Sequence, residues 1–252
     1  MGSRGSKGWV LAVFPVLVTL FAGFGEAQPG PRVPVLVELF TSEGCNSCPP
    51  ADALLEELLQ EQPIDGVYVV PLSEHVTYWD HQGWKDPFGA QQFTARQQQY
   101  GQRFNLDSIY TPQIVIDGTN EYVGSDRGSI ERALKGAARQ VKAALALSVT
   151  ESNGTLTVAA SGPGLATEDD AELWVAITED GLVVDVKRGE NANKKLKHSG
   201  VVRILRSAGD AKRATPVSVT LDPAWRRDHL RVTGFVQSRK NRKILTVAFK
   251  NL

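Results

Sequence analysis

The chain has 252 residues, 28 of them Lys or Arg and 28 Asp or Glu, and 42% of it is hydrophobic. With no net charge it has no reason to attract nucleic acid or anionic lipid, and its balance is that of an ordinary soluble globular chain. The N-terminal segment stands apart. Met1 to Gly8 carries Arg4 and Lys7 with no acid, Trp9 to Gly25 is almost wholly apolar, and Gly25-Glu26-Ala27 is a small-x-small sequence, so residues 1–27 read as a secretory signal. The apolar run, about 16 residues, is short for a membrane span of roughly 20, and no basic stop-transfer cluster follows it. An uncleaved anchor is the lesser reading, and no cysteine follows to carry a lipid. The expected location is the periplasm or the cell exterior, with no stable membrane insertion after cleavage. A cysteine pair can form a disulfide there.

Residues 33–40, Val-Pro-Val-Leu-Val-Glu-Leu-Phe, read as a buried strand, and Ala51, Leu54, Leu55, Leu58 and Leu59 share one face of a helix over 49–60. A strand at 66–72 follows, then an aromatic loop, a Gln-rich helix near 87–104, a strand at 113–117, a turn at Asp117-Gly118, a short strand near 121–124 and a helix over 126–144. The order is βαβαββα. The first two strands should run parallel in a right-handed crossover, and the Asp-Gly turn should make the last two a hairpin. From about residue 145 the pattern becomes all-β. Leu145 to Thr150 and Thr155 to Ala160 flank a Ser152-Asn153-Gly154 turn, and short strands follow at 173–178, 182–186, 201–205, 216–221, 231–237 and 243–249. This part reads as an antiparallel, sandwich-like domain or extension. Within it Gly189 to Lys197 reads as a long polar loop, Trp174 and Trp225 as core, and His198 and His229 as isolated.

The two cysteines, Cys45 and Cys48, sit where the first strand gives way to the first helix. Pro49 and Pro50 suit a first helical turn, and Asp52 complements the positive end of the dipole. Cys45 should lie just outside the helix N-terminus, where a thiolate, the attacking species in disulfide exchange, is favoured. Attack falls to Cys45, the more exposed of the two, and resolution to Cys48. The alternative is a plain structural disulfide, which over so short a loop stabilises little.

The element order matches a thioredoxin-like domain, and Pro112, directly before the third strand, stands where that fold places a cis-proline facing the cysteines; the other reading is an ordinary strand-start proline. Glu38 is an acid in an apolar strand, and an unpaired buried carboxylate is costly. It resembles the buried acid of thioredoxins, which helps deprotonate the resolving thiol, although theirs lies one residue nearer the cysteines. Solvent exposure or a lysine partner is the alternative. Parallel strands end at one edge, which should bring the loop after the second strand beside Cys45. His75, Asp80 and His81 would then handle protons and Tyr78, Trp79 and Trp84 would line a groove, unless the loop is simply a packed aromatic cluster.

Glu38 to Asp52, His75 to Phe88 and Tyr110 to Gly118 together resemble a family of exported bacterial thioredoxin-like proteins known as a domain of unknown function. The resemblance implies an α/β chain with a thioredoxin-like domain over 28–144 and a β-rich domain over 145–252. It supplies no substrate. Asn46-Ser47 replaces the usual Gly-Pro between the cysteines, and Pro49-Pro50 replaces a basic residue after them. The expected function is an exported thiol-disulfide oxidoreductase acting on protein or small-thiol substrates with a separate redox partner. Cys45, Cys48 and Glu38 are the catalytic candidates, and Thr111, Pro112, His75 and Trp79 the substrate-binding ones, with no metal or other cofactor. Two alternatives remain: a periplasmic copper-binding protein using the same cysteines, with or without His75, since thiolates favour soft ions, and a non-catalytic thioredoxin-like binding module.

Overall fold

The computed structural model describes residues 1–2 and 32–252, so the signal-like segment lies, apart from its first two residues, outside the described residues. No helix among the described residues is long and apolar enough to cross a membrane. The architecture is mixed α/β, with few helices on one large mixed sheet. Strand β1 (Val33–Thr41) leads into helix α1 (Pro49–Glu61), strand β2 (Val67–His75), helix α2 (Gln91–Phe104), the hairpin β3 (Gln113–Ile116) and β4 (Asn120–Val123), and helix α3 (Arg127–Ala137). β1 runs parallel to β2 and antiparallel to β3. Covered on both faces, β1 is apolar along most of its length, as a parallel strand requires. Val35, Val37 and Leu39 pack against Leu54, Leu55 and Leu58 of α1, while Leu36 faces the other way, toward the core that holds Phe93 of α2.

Local chemistry sets the helix ends. Prolines fill the first two positions of α1, and its C-cap Gln62 adopts the left-handed conformation with its amide on the Leu58 carbonyl. Asp126 caps α3 by accepting the Ser129 amide. α3 ends at Ala137, short of the 144 expected from sequence. The carbonyls of Ala143 and Ala144 accept bonds from Thr246 Oγ1 and the Gly164 amide, and Lys142 Nζ reaches Asp117 and the Pro34 carbonyl. Those long-range bonds hold residues 142–144 against the sheet and the β-rich part instead of in a continued α3.

The β-rich part does not stand apart from the first sheet. β7 (Ala171–Glu179), β10 (Val201–Asp210), β12 (Leu230–Ser238) and β13 (Ile244–Asn251) continue it in the order β13-β12-β7-β10-β2-β1-β3-β4. The join is the parallel pair Val201 with Ser73, sealed by the Ser73 amide on the Gly200 carbonyl at 2.7 Å. A small second sheet of β5 (Ala146–Ser152), β6 (Thr155–Ser161) and β11 (Val217–Thr220) covers β7 and β12 through Leu156, Val158, Val219, Ile177 and Val232, giving a sandwich-like layer there. The Asp117-Gly118 turn docks under β13, with the Ile244 amide on the Asp117 carbonyl, and only glycine fits at 118, where φ is +65° and a Cβ would stand 2.0 Å from the Arg242 carbonyl oxygen. The segment read as a loop ends in a strand, β9 (Lys195–His198), paired with β8 (Leu182–Asp185). Its alternation of exposed Lys195 and Lys197 with buried Leu196 and His198 is the period-two signal of a half-buried strand.

Candidate functional site

β1 and β2 end at the same sheet edge, and the loop leaving β1 carries both cysteines there. Cys45 and Cys48 form a disulfide with a Cα separation of 5.5 Å. Cys48 caps α1, accepting the Ala51 and Asp52 amides, while Asn46 and Ser47 between the cysteines are exposed. Contrary to the expectation from sequence, Cys45 is no more exposed than Cys48: both are 0% accessible. Two segments cover them. On one side Thr111 and Pro112, joined by a cis peptide bond, place the Thr111 carbonyl 3.9 Å from Cys45 Sγ. Trp79 holds that segment by donating to Thr111 Oγ1 at 2.8 Å, and Gly44 lets its ring approach, since a Cβ there would lie 2.9 Å from Trp79 Cβ. On the other side, residues 189–194 between β8 and β9 form a strap. Asn191, fully buried, donates to the carbonyls of Glu43 and Cys45 at 2.8 and 2.9 Å, and the Asn46 amide donates to Glu190.

Behind the disulfide lies a buried polar cluster. His75 Nδ1 meets Asp86 Oδ2 at 2.7 Å, and the same oxygen accepts the Glu43 amide. Glu43 accepts from Trp84 Nε1 and faces His198 Nε2 at 3.2 Å. His198 Nδ1 stands 3.9 Å from Asp52 Oδ2, and the two imidazoles meet edge to face at 4.9 Å. His75 Nε2, His198 Nδ1 and Asp52 Oδ1 are buried without a hydrogen-bond partner. Burial lowers the His75 pKa, but Asp86, with Asp52 and Glu43, outweighs it and raises the value above that of an ordinary imidazole. Burial raises Asp52, and the two histidines offset this only in part. Burial also acts to raise Asp86, but His75 and the Glu43 and Phe88 amides pull it below the usual carboxylate range.

The chain matches the family described as "Protein of unknown function (DUF1223)" over residues 36–237. It belongs to that family. The matched span contains both cysteines, the covering segments and the whole buried cluster. Among solved structures, the chain is similar to Protein AGR_C_4864 from Agrobacterium tumefaciens, with a TM-score of 0.62 and 26% identity over 88% of this chain and 95% of that one. It is also similar to HBP35 of Porphyromonas gingivalis, with a TM-score of 0.57 and 15% identity over 89% of this chain and 77% of that one, a likeness that shows the fold alone. No curated protein matches significantly.

In this family member two of the sequence assignments need correction. Glu38 is fully buried but lies on the sheet face opposite α1, so it cannot serve Cys48 at the head of that helix. It accepts from Arg96 Nε at 2.5 Å and from the Tyr100 hydroxyl, and Arg96 also faces Glu74 at 3.4 Å and donates to Gln237 at 3.1 Å. The position one residue nearer the cysteines, facing α1, is Leu39. His75, expected to touch substrate, is 0% accessible and bound to Asp86. Thr111, Pro112 and Trp79 do flank the disulfide, whereas His81 is exposed, Asp80 accepts the Asp86 amide, and Tyr78 bonds Gln97. Glu43, Asp86 and Arg96 carry no signal in the sequence that gives them a role, His198 reads there as isolated, Asn191 as part of a polar loop, and Asp52 only as a partner of the helix dipole.

These shifts predict how stability varies with pH. Glu74 is raised well above 4.5, by burial first and by its neighbour Glu38. Glu74, Asp52 and His75 all hold protons more tightly folded than unfolded, so their contribution is complete below the unfolded values and declines as pH rises through the folded ones. Asp86 works in reverse, its contribution being lost as pH falls. Stability measured by urea midpoint should therefore peak at mildly acidic pH and decline toward alkaline pH. Replacing Glu74 by Gln should flatten the alkaline decline. A midpoint that rises steadily into the alkaline range would contradict these assignments.

Proposed function

We propose that this protein is an exported thiol-disulfide oxidoreductase, built on a thioredoxin-like arrangement of β1 to α3 and acting through Cys45 and Cys48 on protein or small-thiol disulfides. The observation that carries the reading is a two-cysteine disulfide at the head of α1, facing the Thr111-Pro112 segment across 3.9 Å. A helix N-terminus favours the thiolate that exchange requires, and the Thr111 backbone stands where an extended substrate chain would pair beside the sulfurs. Cys45 is the attacking sulfur because it lies in the loop before α1 with its Sγ toward the Thr111 carbonyl, where a substrate chain would pair, while Cys48 caps the helix. The β-rich part supplies the strap that covers the pair.

Since both sulfurs are inaccessible, exchange requires the strap to lift. Asn191→Ala removes two bonds that hold it, and at about 1 kcal/mol per bond the opened population should rise at least tenfold. The test follows reduction of the disulfide by dithiothreitol through tryptophan fluorescence. The parent protein should be reduced reversibly, and Asn191→Ala should be reduced at least about tenfold faster. A disulfide inert to dithiothreitol in both proteins would contradict the oxidoreductase reading, and an unchanged rate in the variant would remove the strap's role alone.

A further inference from the structure

With Glu38 turned away, Cys48 needs another group to take its proton, and the buried cluster behind α1 has not yet been given a function. Asp52 lies four residues after Cys48 in α1, its amide on the Cys48 carbonyl. Residues four apart share a helix face and helical side chains lean toward the N-terminus, which puts Asp52 on the face of α1 that Cys48 begins. Asp52 is only 6% accessible, and its Oδ1 has no partner. Its surroundings come from separate elements: Thr41 at the end of β1, His75 at the end of β2, Asp86 and Glu43 from the two loops, and His198 from β9.

We propose that Asp52 is the proton acceptor for the Cys48 thiol, and that His198, brought in by the β-rich part and held through Glu43, is the positioning residue that sets how strongly Asp52 binds that proton. The proposal rests on the oxidoreductase reading and completes its second step. In that step a disulfide substrate is already joined to Cys45. The Cys48 proton passes to Asp52 directly or through one water, and the Cys48 thiolate attacks Cys45 Sγ. The Cys45-Cys48 bond forms as the bond from Cys45 to the substrate breaks, and its electron pair leaves on the substrate sulfur as a thiolate. The substrate is reduced by two electrons and the protein dithiol is oxidised. In the reverse direction Asp52 returns the proton.

The arrangement suits the task. A carboxyl that holds its proton more tightly is better matched to a thiol than an ordinary aspartate, and burial raises Asp52. His198 Nδ1, 3.9 Å away and without a hydrogen-bond partner, faces the Asp52 carboxyl with no other polar group bound to it.

The test mixes the reduced protein with an aromatic disulfide whose two halves absorb when released. The first release reports attack by Cys45 and the second reports closure by Cys48. Asp52→Asn should slow the second release about a hundredfold and leave the first within twofold, with slowing greatest at mildly acidic pH. His198→Asn should shift the pH profile of the second release without abolishing it. If Asp52→Asn fails to fold, the parent protein still decides: its second release must show a pH inflection that His198→Asn moves. Equal slowing of both phases, or a second phase whose pH profile ignores both substitutions, would overturn the proposal. Absence of a first release from the parent would instead defeat the oxidoreductase reading itself.

Discussion

Replacing Arg96 by Met should destabilise the protein by about 3–5 kcal/mol, the loss typical of breaking a buried ion pair by removing one partner. Arg96 is 3% accessible and is the only cation within ion-pair distance of Glu38 and Glu74 among the described residues. Its guanidinium lies between the Tyr100, Trp174 and Phe235 rings at 5.3 to 5.5 Å, and it reaches Gln237 of β12. The single residue therefore joins α2, β1, β2 and the β-rich part. Removing it leaves the Glu38 carboxylate buried and unpaired, which costs far more than the methionine's packing restores. The second substitution Glu38→Gln should recover a large share of that loss, because it removes the orphaned charge. Urea unfolding of both variants measures this, and a single-variant loss under about 1 kcal/mol would show that the network is not a structural support.

Cys48→Ser should trap the protein on its substrates as mixed disulfides, and Cys45→Ser should form none. The asymmetry follows from placement. Cys45 lies in the loop before α1 with its Sγ facing the Thr111 carbonyl, whereas Cys48 is the helix cap, its carbonyl tied to the Ala51 and Asp52 amides. If Cys45 attacks and Cys48 resolves, losing the second sulfur leaves the intermediate with no rapid exit. Non-reducing gels of each variant after exposure to a protein disulfide read the outcome as a band that dithiothreitol removes. A band from Cys45→Ser and none from Cys48→Ser would reverse the roles.

The first half of the fold was legible in the sequence because its signals are local. The apolar run of β1, the double proline opening α1 and the Asp117-Gly118 turn each fix a short stretch of chain, and their observed bounds lie within a few residues of those expected. The join between halves was not legible, since Val201 pairs with Ser73 through a contact that neither segment advertises. The site shows the same division. Cys45, Cys48 and Pro112 carry their chemistry in their residue types and spacing. Glu38 stood out as an acid in an apolar strand, with burial and a solvent-edge place both open, but its partner Arg96 lies 58 residues away, and strand parity set it on the face away from α1. His198 lies 155 residues from Glu43, and only the alternation from Lys195 to His198 marked it as an inward-facing residue.

As an oxidoreductase, the protein should cycle its Cys45-Cys48 pair between dithiol and disulfide under physiological redox conditions. The most direct measurement of this cycle is the equilibrium of the full chain with glutathione buffers of graded redox ratio, read by trapping free thiols. The expected result is a single reversible two-electron transition with a midpoint in the range of disulfide exchange proteins, roughly −270 to −120 mV. A pair that stays fully oxidised at every glutathione ratio, with a potential below about −300 mV as in structural disulfides, would contradict it.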